Sequence, residues 1–269
     1  MMRKLAVIGS PVEHSRSPFI HNAFAARMGL DYAYSAVEVT RDTLPEFVQR
    51  ARAGEYAGFN VTMPLKEEIL HHLAEIDGAA RACGSVNTVV VRNGELHGYS
   101  TDGVGVIAAL HEKISDLRGK TAVILGTGGA AKSAAYALNV AGTAVTALSR
   151  RDVLPRVEGA ATRPWAEFPT LARDADIVVN ATPIGMAHNA ETDAFFENFE
   201  WLDALKRGAV VFDIVYNPLV TRLLYETAAR NIAVIGGLPV LIYQAAAAFE
   251  IFTGYAVPDD VVQNVKDAL

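Results

Sequence analysis

The sequence predicts an α/β protein whose second half is a parallel, doubly wound sheet. Three observations carry this. The run Thr121–Leu125 reads as a fully buried parallel strand and leads through small residues into a helical stretch from Gly129 to about Ala141. Strand-like runs then recur at 144–149, 177–182, 210–215 and 233–236, alternating with helical segments. Residues 5–100 also alternate short apolar strands with amphipathic stretches, so the first half is α/β as well.

Bulk properties narrow the class. The 269 residues are 51% hydrophobic and 20% charged, enough for two ordinary domains with substantial cores. Net charge is −6 with no basic run, which argues against nucleic acid as a partner. Cys83 is the only cysteine, which excludes an internal disulfide and a multi-thiolate metal site and suits a reducing compartment. The basic start Met1–Lys4 precedes an apolar run too short for a secretory signal core. The apolar stretch Ala233–Phe249 is broken by Gly236, Gly237, Pro239 and Gln244, so it reads as strand, turn and helix and not as a membrane span. A cytoplasmic protein without a membrane partner is expected. The seven histidines suggest no metal: there is no H-E-x-x-H, and His71 and His72 are neighbours that diverge by about 100° on a helix.

Taken in order, Leu5–Ile8 predicts a buried strand that ends at Gly9-Ser10-Pro11. A helix follows, with Ile20, Phe24 and Met28 recurring every fourth residue. Ser17 suits its N-cap and Pro18 its first turn, which leaves Ser15 unneeded for capping. Two hydroxyls beside a helix N-terminus make a seat for a carboxylate. Tyr32–Val39 and Gly58–Thr62 predict strands, and Leu44–Ala53 a helix between them. After Met63-Pro64 a helix is predicted to open at Leu65. Lys66 then opposes the macrodipole of its first turn, a placement suited to proton transfer, with a solvated surface lysine as the alternative. Val86–Val91 predicts a strand with Asn87 on the face of Val89 and Val91, where its amide must find a partner in the core or in a ligand. Asn93-Gly94 signals a type I′ hairpin into Glu95–Ser100. Thr101-Asp-Gly then opens a helix to about Lys113, which Asp102 either caps or leaves free for chemistry. The polar stretch His111–Lys120 is the predicted domain boundary.

Gly126, Gly128 and Ala131 match G-x-G-x-x-A directly after a strand and at the start of a helix. In that motif the small residues give a tight turn, let backbone approach a pyrophosphate and let helix pack on strand. At the end of the next strand stands Ser149-Arg150-Arg151 in place of the acidic residue that binds a ribose 2′-hydroxyl. Two arginines suit a 2′-phosphate, hence NADP, while Asp152 one residue on keeps NAD in play. Helices are predicted over 238–253 and 259–269.

The polar residues of the first half lie in recognisable neighbourhoods. Gly9–Asn22, Gly58–Lys66 (G-x-N-V-T-x-P-x-K), Gly84–Thr88, Thr101–Gly103, Asn180–Met186, Asp213–Pro218 and Gly236–Ala245 resemble, in order along nearly the whole chain, the motifs of the shikimate dehydrogenase family. The resemblance implies reversible NADPH-dependent reduction of 3-dehydroshikimate to shikimate by a monomer or homodimer. It implies a substrate-binding domain over 1–102 completed by helices 238–269, a Rossmann-like NADP-binding domain over 103–237, and a cleft between them. Lys66 and Asp102 would be the catalytic pair. Ser15 and Ser17 would hold the substrate carboxylate, Asn60 would support the site, and Thr62, Asn87, Tyr216 and Gln244 would contact the ring or its hydroxyls. Gly126, Thr127, Gly128, Gly129 and Ala130 would take the pyrophosphate, Ser149, Arg150 and Arg151 the adenosine end, and Ile214 and Gly237 would lie near the nicotinamide. No metal is implied.

The chain departs from the family at Ser100, where Asn is usual, at Ser149 and Arg151, which flank Arg150 in place of Asn and Thr, at Leu154, often basic, and at Val240, often Met. Retention of both serines argues for shikimate over quinate. The alternatives are a quinate/shikimate or analogue-specific relative, and a non-enzymatic NADP-binding regulator, which would be expected to have lost Lys66 or Asp102.

Overall fold

A computed structural model describes residues 2–187 and 198–269. They form two compact units, one of residues up to Asp102 with Ile242–Leu269, the other of Gly103–Leu241.

The first unit contains β1 (Arg3–Gly9), α1 (Ser17–Arg27), β2 (Tyr32–Glu38), α2 (Leu44–Arg52), β3 (Gly58–Val61), β4 (Glu75–Ile76), α3 (Gly78–Cys83), β5 (Thr88–Arg92) and β6 (Glu95–Tyr99). Its sheet runs β2-β1-β3-β5-β6-β4. The pairs β1/β2, β1/β3 and β4/β6 are parallel, while β3/β5 and β5/β6 are antiparallel, so the sheet is mixed. The continuous apolar run of β1 follows from its central place, with both faces covered. Ala6 and Ile8 pack with Phe59, Val61 and the Leu44, Phe47, Val48 face of α2. Leu5 and Val7, on the opposite face by the period of two, pack with Tyr34, Val90, Ala248 and Phe252. Asn93 and Gly94 adopt φ of 55° and 79°, as the I′ turn between β5 and β6 requires.

The second unit holds most of α4 (Asp102–His111), then β7 (Thr121–Leu125), α5 (Gly129–Val140), β8 (Ala144–Ser149), β9 (Ala161–Pro164), α6 (Phe168–Arg173), β10 (Ile177–Asn180), α7 (Glu200–Asp203), β11 (Val210–Asp213), α8 (Arg222–Ala228) and β12 (Ala233–Ile235). The sheet order β12-β11-β10-β7-β8-β9 is all parallel, the doubly wound arrangement that the sequence predicts. Chain direction across the sheet reverses between β7 and β10, where such folds place their ligands. The chain returns to the first unit within α9 (Gly237–Thr253) and ends in α10 (Asp259–Lys266).

Two expectations change. No α-helix opens at Leu65: Leu65–Glu67 form a turn, and only a short 3-10 helix follows, Glu68–His72. The dipole argument for Lys66 therefore falls. The units also part at Asp102 and not along His111–Lys120, which lies inside the second unit. The physical reason is contact between α4 and α5: a Cβ on Gly103 would stand 2.9 Å from the Ala137 Cβ. The first turn of α9 likewise stays with the second unit, because Gly237 sits so close to the Ile214 carbonyl that any Cβ would collide with it.

Candidate active site

In the first unit Lys66 and Asp102 meet. Lys66 Nζ donates to Asp102 Oδ2 at 2.5 Å, and both side chains are partly buried. Asp102 opens α4, yet its carboxylate is not spent as a simple cap, since Oδ1 accepts from Asn87 Nδ2 at 2.7 Å. Asn87 stands just before β5 and is 4% exposed, so its amide must be satisfied internally. Its Oδ1 accepts the Thr101 N–H at 2.8 Å, which fixes the amide orientation, and its Nδ2 also reaches Thr101 Oγ1 at 2.9 Å and Gln244 Oε1 at 3.3 Å. The sequence-level question of where Asn87 finds its partner thus resolves to a polar cluster that holds the Lys66–Asp102 pair. Asn60 is equally buried and joins it through Nδ2, to the Asn87 carbonyl at 2.9 Å and Thr88 Oγ1 at 3.0 Å.

At the start of α1 the structure departs from the expected Ser17 cap. The helix starts at Ser17, not after it, and the hydroxyl that accepts at this end is that of Ser15, from the Ser17 N–H at 3.2 Å. Ser17 itself is buried. Thr62 follows β3 with its N–H on the Ile8 carbonyl at 2.9 Å, while the Ser10 N–H meets the Met63 carbonyl at 3.0 Å. These bonds tie the loop carrying the serines to the loop carrying Thr62 and Lys66.

In the second unit the glycine loop lies between β7 and α5. Gly126 has φ of 108°, open to glycine, and a Cβ there would stand 3.1 Å from Thr182 Cγ2. Gly128 is the N-cap of α5, and a Cβ there would enter open space, so the face is clear for a ligand's close approach. Thr127, Gly129 and Ala130 complete the turn, whose first helical amides have no intrahelical acceptor and suit a pyrophosphate. Arg150 and Arg151 are exposed at the end of β8, and the Arg150 guanidinium lies 5.7 Å from the centre of the Trp165 ring. Ser149 is buried and turned inward, its hydroxyl accepting the Arg151 N–H at 3.1 Å. These residues fit a dinucleotide with a 2′-phosphate. Ile214 and Tyr216 lie on the segment after β11, and Gly237 packs on the Ile214 carbonyl.

A network invisible in the sequence holds that segment. Asp213, fully buried, accepts from Thr221 Oγ1 at 2.6 Å, Asn180 Nδ2 at 2.9 Å and the Val215 N–H at 3.1 Å. Burial pushes its carboxyl up to about 6, against those three donors. Sequence reading placed Thr88, Thr101, Asn180 and Asp213 in recognisable blocks without giving them a task, and it passed over Tyr34. Their signal was available only as polar residues flanked by apolar strand. Among the described residues no group of three His, Cys, Asp or Glu side chains could hold a metal; His188 lies outside those residues.

Comparison with known proteins agrees with this geometry. Residues 7–89 match the shikimate dehydrogenase substrate binding domain and residues 237–269 the shikimate 5'-dehydrogenase C-terminal domain. Residues 90–220 match the NAD binding domain of D-isomer specific 2-hydroxyacid dehydrogenases. A shikimate dehydrogenase (NADP(+)) of Methanocaldococcus jannaschii is 38% identical over 97% of this chain and 94% of its own. A crystal structure of shikimate dehydrogenase in complex with NADP+ superposes with a TM-score of 0.87 at 35% identity, covering 99% of this chain and 95% of that one. The Thermus thermophilus enzyme in complex with NADP(H) and shikimate gives 0.83 at 32% identity, covering 99% of both chains. With its motifs in order, its two sheets and its matched length, the chain belongs to the shikimate dehydrogenase family.

Proposed function

We propose that this protein is an NADP-dependent oxidoreductase that interconverts shikimate and 3-dehydroshikimate. The observation that carries the reading is the Lys66–Asp102 pair, held at 2.5 Å and braced by Asn87. NADPH, when bound, supplies the hydride. The residues of the first unit deal with the charge that then grows on the substrate oxygen. Lys66 meets it with a cation and donates a proton, an interaction strongest when the charge has developed. Asp102 orients the ammonium and can pass a proton onward, and Asn87 stops the carboxylate from rotating away. Ser15 and Ser17 receive the substrate carboxylate, with Asn60, Thr62, Tyr216 and Gln244 contributing contacts to the ring. Gly126–Ala130 take the pyrophosphate and Arg150 and Arg151 the 2′-phosphate, with Ser149 shaping their turn. Ile214 and Gly237 lie toward the nicotinamide.

On this reading the first unit is the substrate-binding domain, and the second, corresponding to 103–237 and the first turn of α9, is the NADP-binding domain. The enzyme works in the cytoplasm as a monomer or homodimer, which light scattering distinguishes. Among the described residues no helix is long and apolar enough to cross a membrane. The decisive assay offers purified protein shikimate with NADP and quinate with NAD. Turnover of the first pair is expected, and no shikimate oxidation with either cofactor overturns the reading.

A further inference from the structure

Two side chains of α1 converge on one residue that the proposed chemistry does not use. Asn22 clamps the backbone of Tyr34, its Nδ2 donating to the carbonyl at 2.8 Å and its Oδ1 accepting the N–H at 2.9 Å. The His21 ring stacks on the Tyr34 ring with centroids 4.2 Å apart and planes 1° from parallel. The phenol donates to Asn60 Oδ1 at 2.7 Å. Tyr34 is 5% exposed and His21 1%, so none of this is a surface accident.

The protons of this cluster can be assigned. Asn60 Nδ2 faces the Asn87 carbonyl, an atom that only accepts, so the Asn60 amide cannot be flipped and its Oδ1 faces Tyr34. The single phenolic proton is thereby committed to Asn60. Burial holds the phenol well above its usual range and the His21 imidazole down to about 3, so neither ring brings a charge that would reverse these directions at neutral pH. From Asn60 the bonds continue through Thr88 Oγ1, Asn87 and Asp102 to Lys66.

We infer that Tyr34 is a positioning residue of the substrate site, fixing the orientation of the Asn60 amide through its phenolic proton. The inference rests on the reading of the first unit as the shikimate-binding one. Asn60, which supports the site on that reading, is then held at both ends, by the Tyr34 phenol at Oδ1 and by the Asn87 carbonyl at Nδ2.

Tyr34→Phe keeps the stacked ring and removes only the oxygen. The KM for shikimate should rise about tenfold, the scale of one ordinary hydrogen bond, with kcat within about threefold and the KM for NADP unchanged. In an Asn60→Ala background the same substitution should cost less, because its hydrogen-bond target is gone. A wild-type shikimate KM in Tyr34→Phe, or equal loss toward NADP as a merely structural role would give, overturns the inference. Should the variant not melt as a folded protein, NMR of the parent decides. A slowly exchanging Tyr34 hydroxyl proton that shifts on adding shikimate supports the relay, and one that does not shift refutes it. Absence of shikimate oxidation by the parent is a separate result, which removes the functional reading and this inference with it.

Discussion

Lys66 is singled out by sequence and structure for different reasons. The sequence offers a cation in a helix's first turn, whereas the structure shows a turn and a carboxylate partner 2.5 Å away. What makes Lys66 useful is its pairing, so Lys66→Ala should lower turnover by about two to four orders of magnitude, the usual worth of a positioned proton donor, and leave NADP binding nearly intact. Steady-state kinetics with calorimetric titration of NADP checks both halves, and comparable loss of NADP affinity would contradict the role. Arg150 was legible for a sounder reason: guanidinium geometry suits a phosphate, and the exposed side chain beside Trp165 is available for one. Arg150→Ala should weaken NADP by tenfold or more and NAD by little, and equal effects on both would remove the case for a 2′-phosphate contact.

Among elements, strands with continuous apolar runs were legible to within two residues, because burial on both faces writes itself into the sequence. β9 was not, since Ala161–Pro164 is an exposed edge strand with no apolar pattern to read. The ends of β10 and β11 hide a further feature, the buried Asp213. Its unfolded carboxyl titrates near 3.8 and the folded one near 6. Between those values the folded chain keeps a proton that the unfolded chain has released. The group's contribution to stability is therefore fully present below pH 3.8 and lost as pH rises through about 6. The span corresponds to roughly 3 kcal/mol. Asp213→Asn does not titrate, so its stability relative to the parent should improve by about that amount between pH 4 and pH 7. Melting curves of both proteins at the two pH values test this, and a constant difference would sink it.

For the whole molecule, a chain that enters the first unit, builds the second and returns makes the first unit depend on its last residues. Phe249 of α9 is fully buried and meets the rings of Phe24, His21 and Tyr32 at 5.8 to 6.2 Å. Phe249→Ala should cost about 3 to 5 kcal/mol, the usual penalty for an emptied aromatic site, and should act on the first unit. Calorimetric scanning should show a lowered transition, while NADP affinity, which belongs to the second unit on the proposed reading, stays near the parent value. A lowered NADP affinity of similar size would mean that the units do not unfold separately.

Read along the chain alone are the α/β class, the order of the main strands, the glycine turn, the arginines after β8 and the residue types of the proposed catalytic pair. Those features depend on local periodicity, on the conformational freedom of glycine and on side-chain chemistry, all of which can be read along the chain. Folding is what brings Asp102 to Lys66 across 36 positions and Asn87 to Gln244 across 157, and what puts the Ser15 hydroxyl, not that of Ser17, on the helix end. Hydrogen bonds between buried polar groups depend on which strands become neighbours and on which atoms are left without water, and neither is recorded in the spacing of residues along the chain.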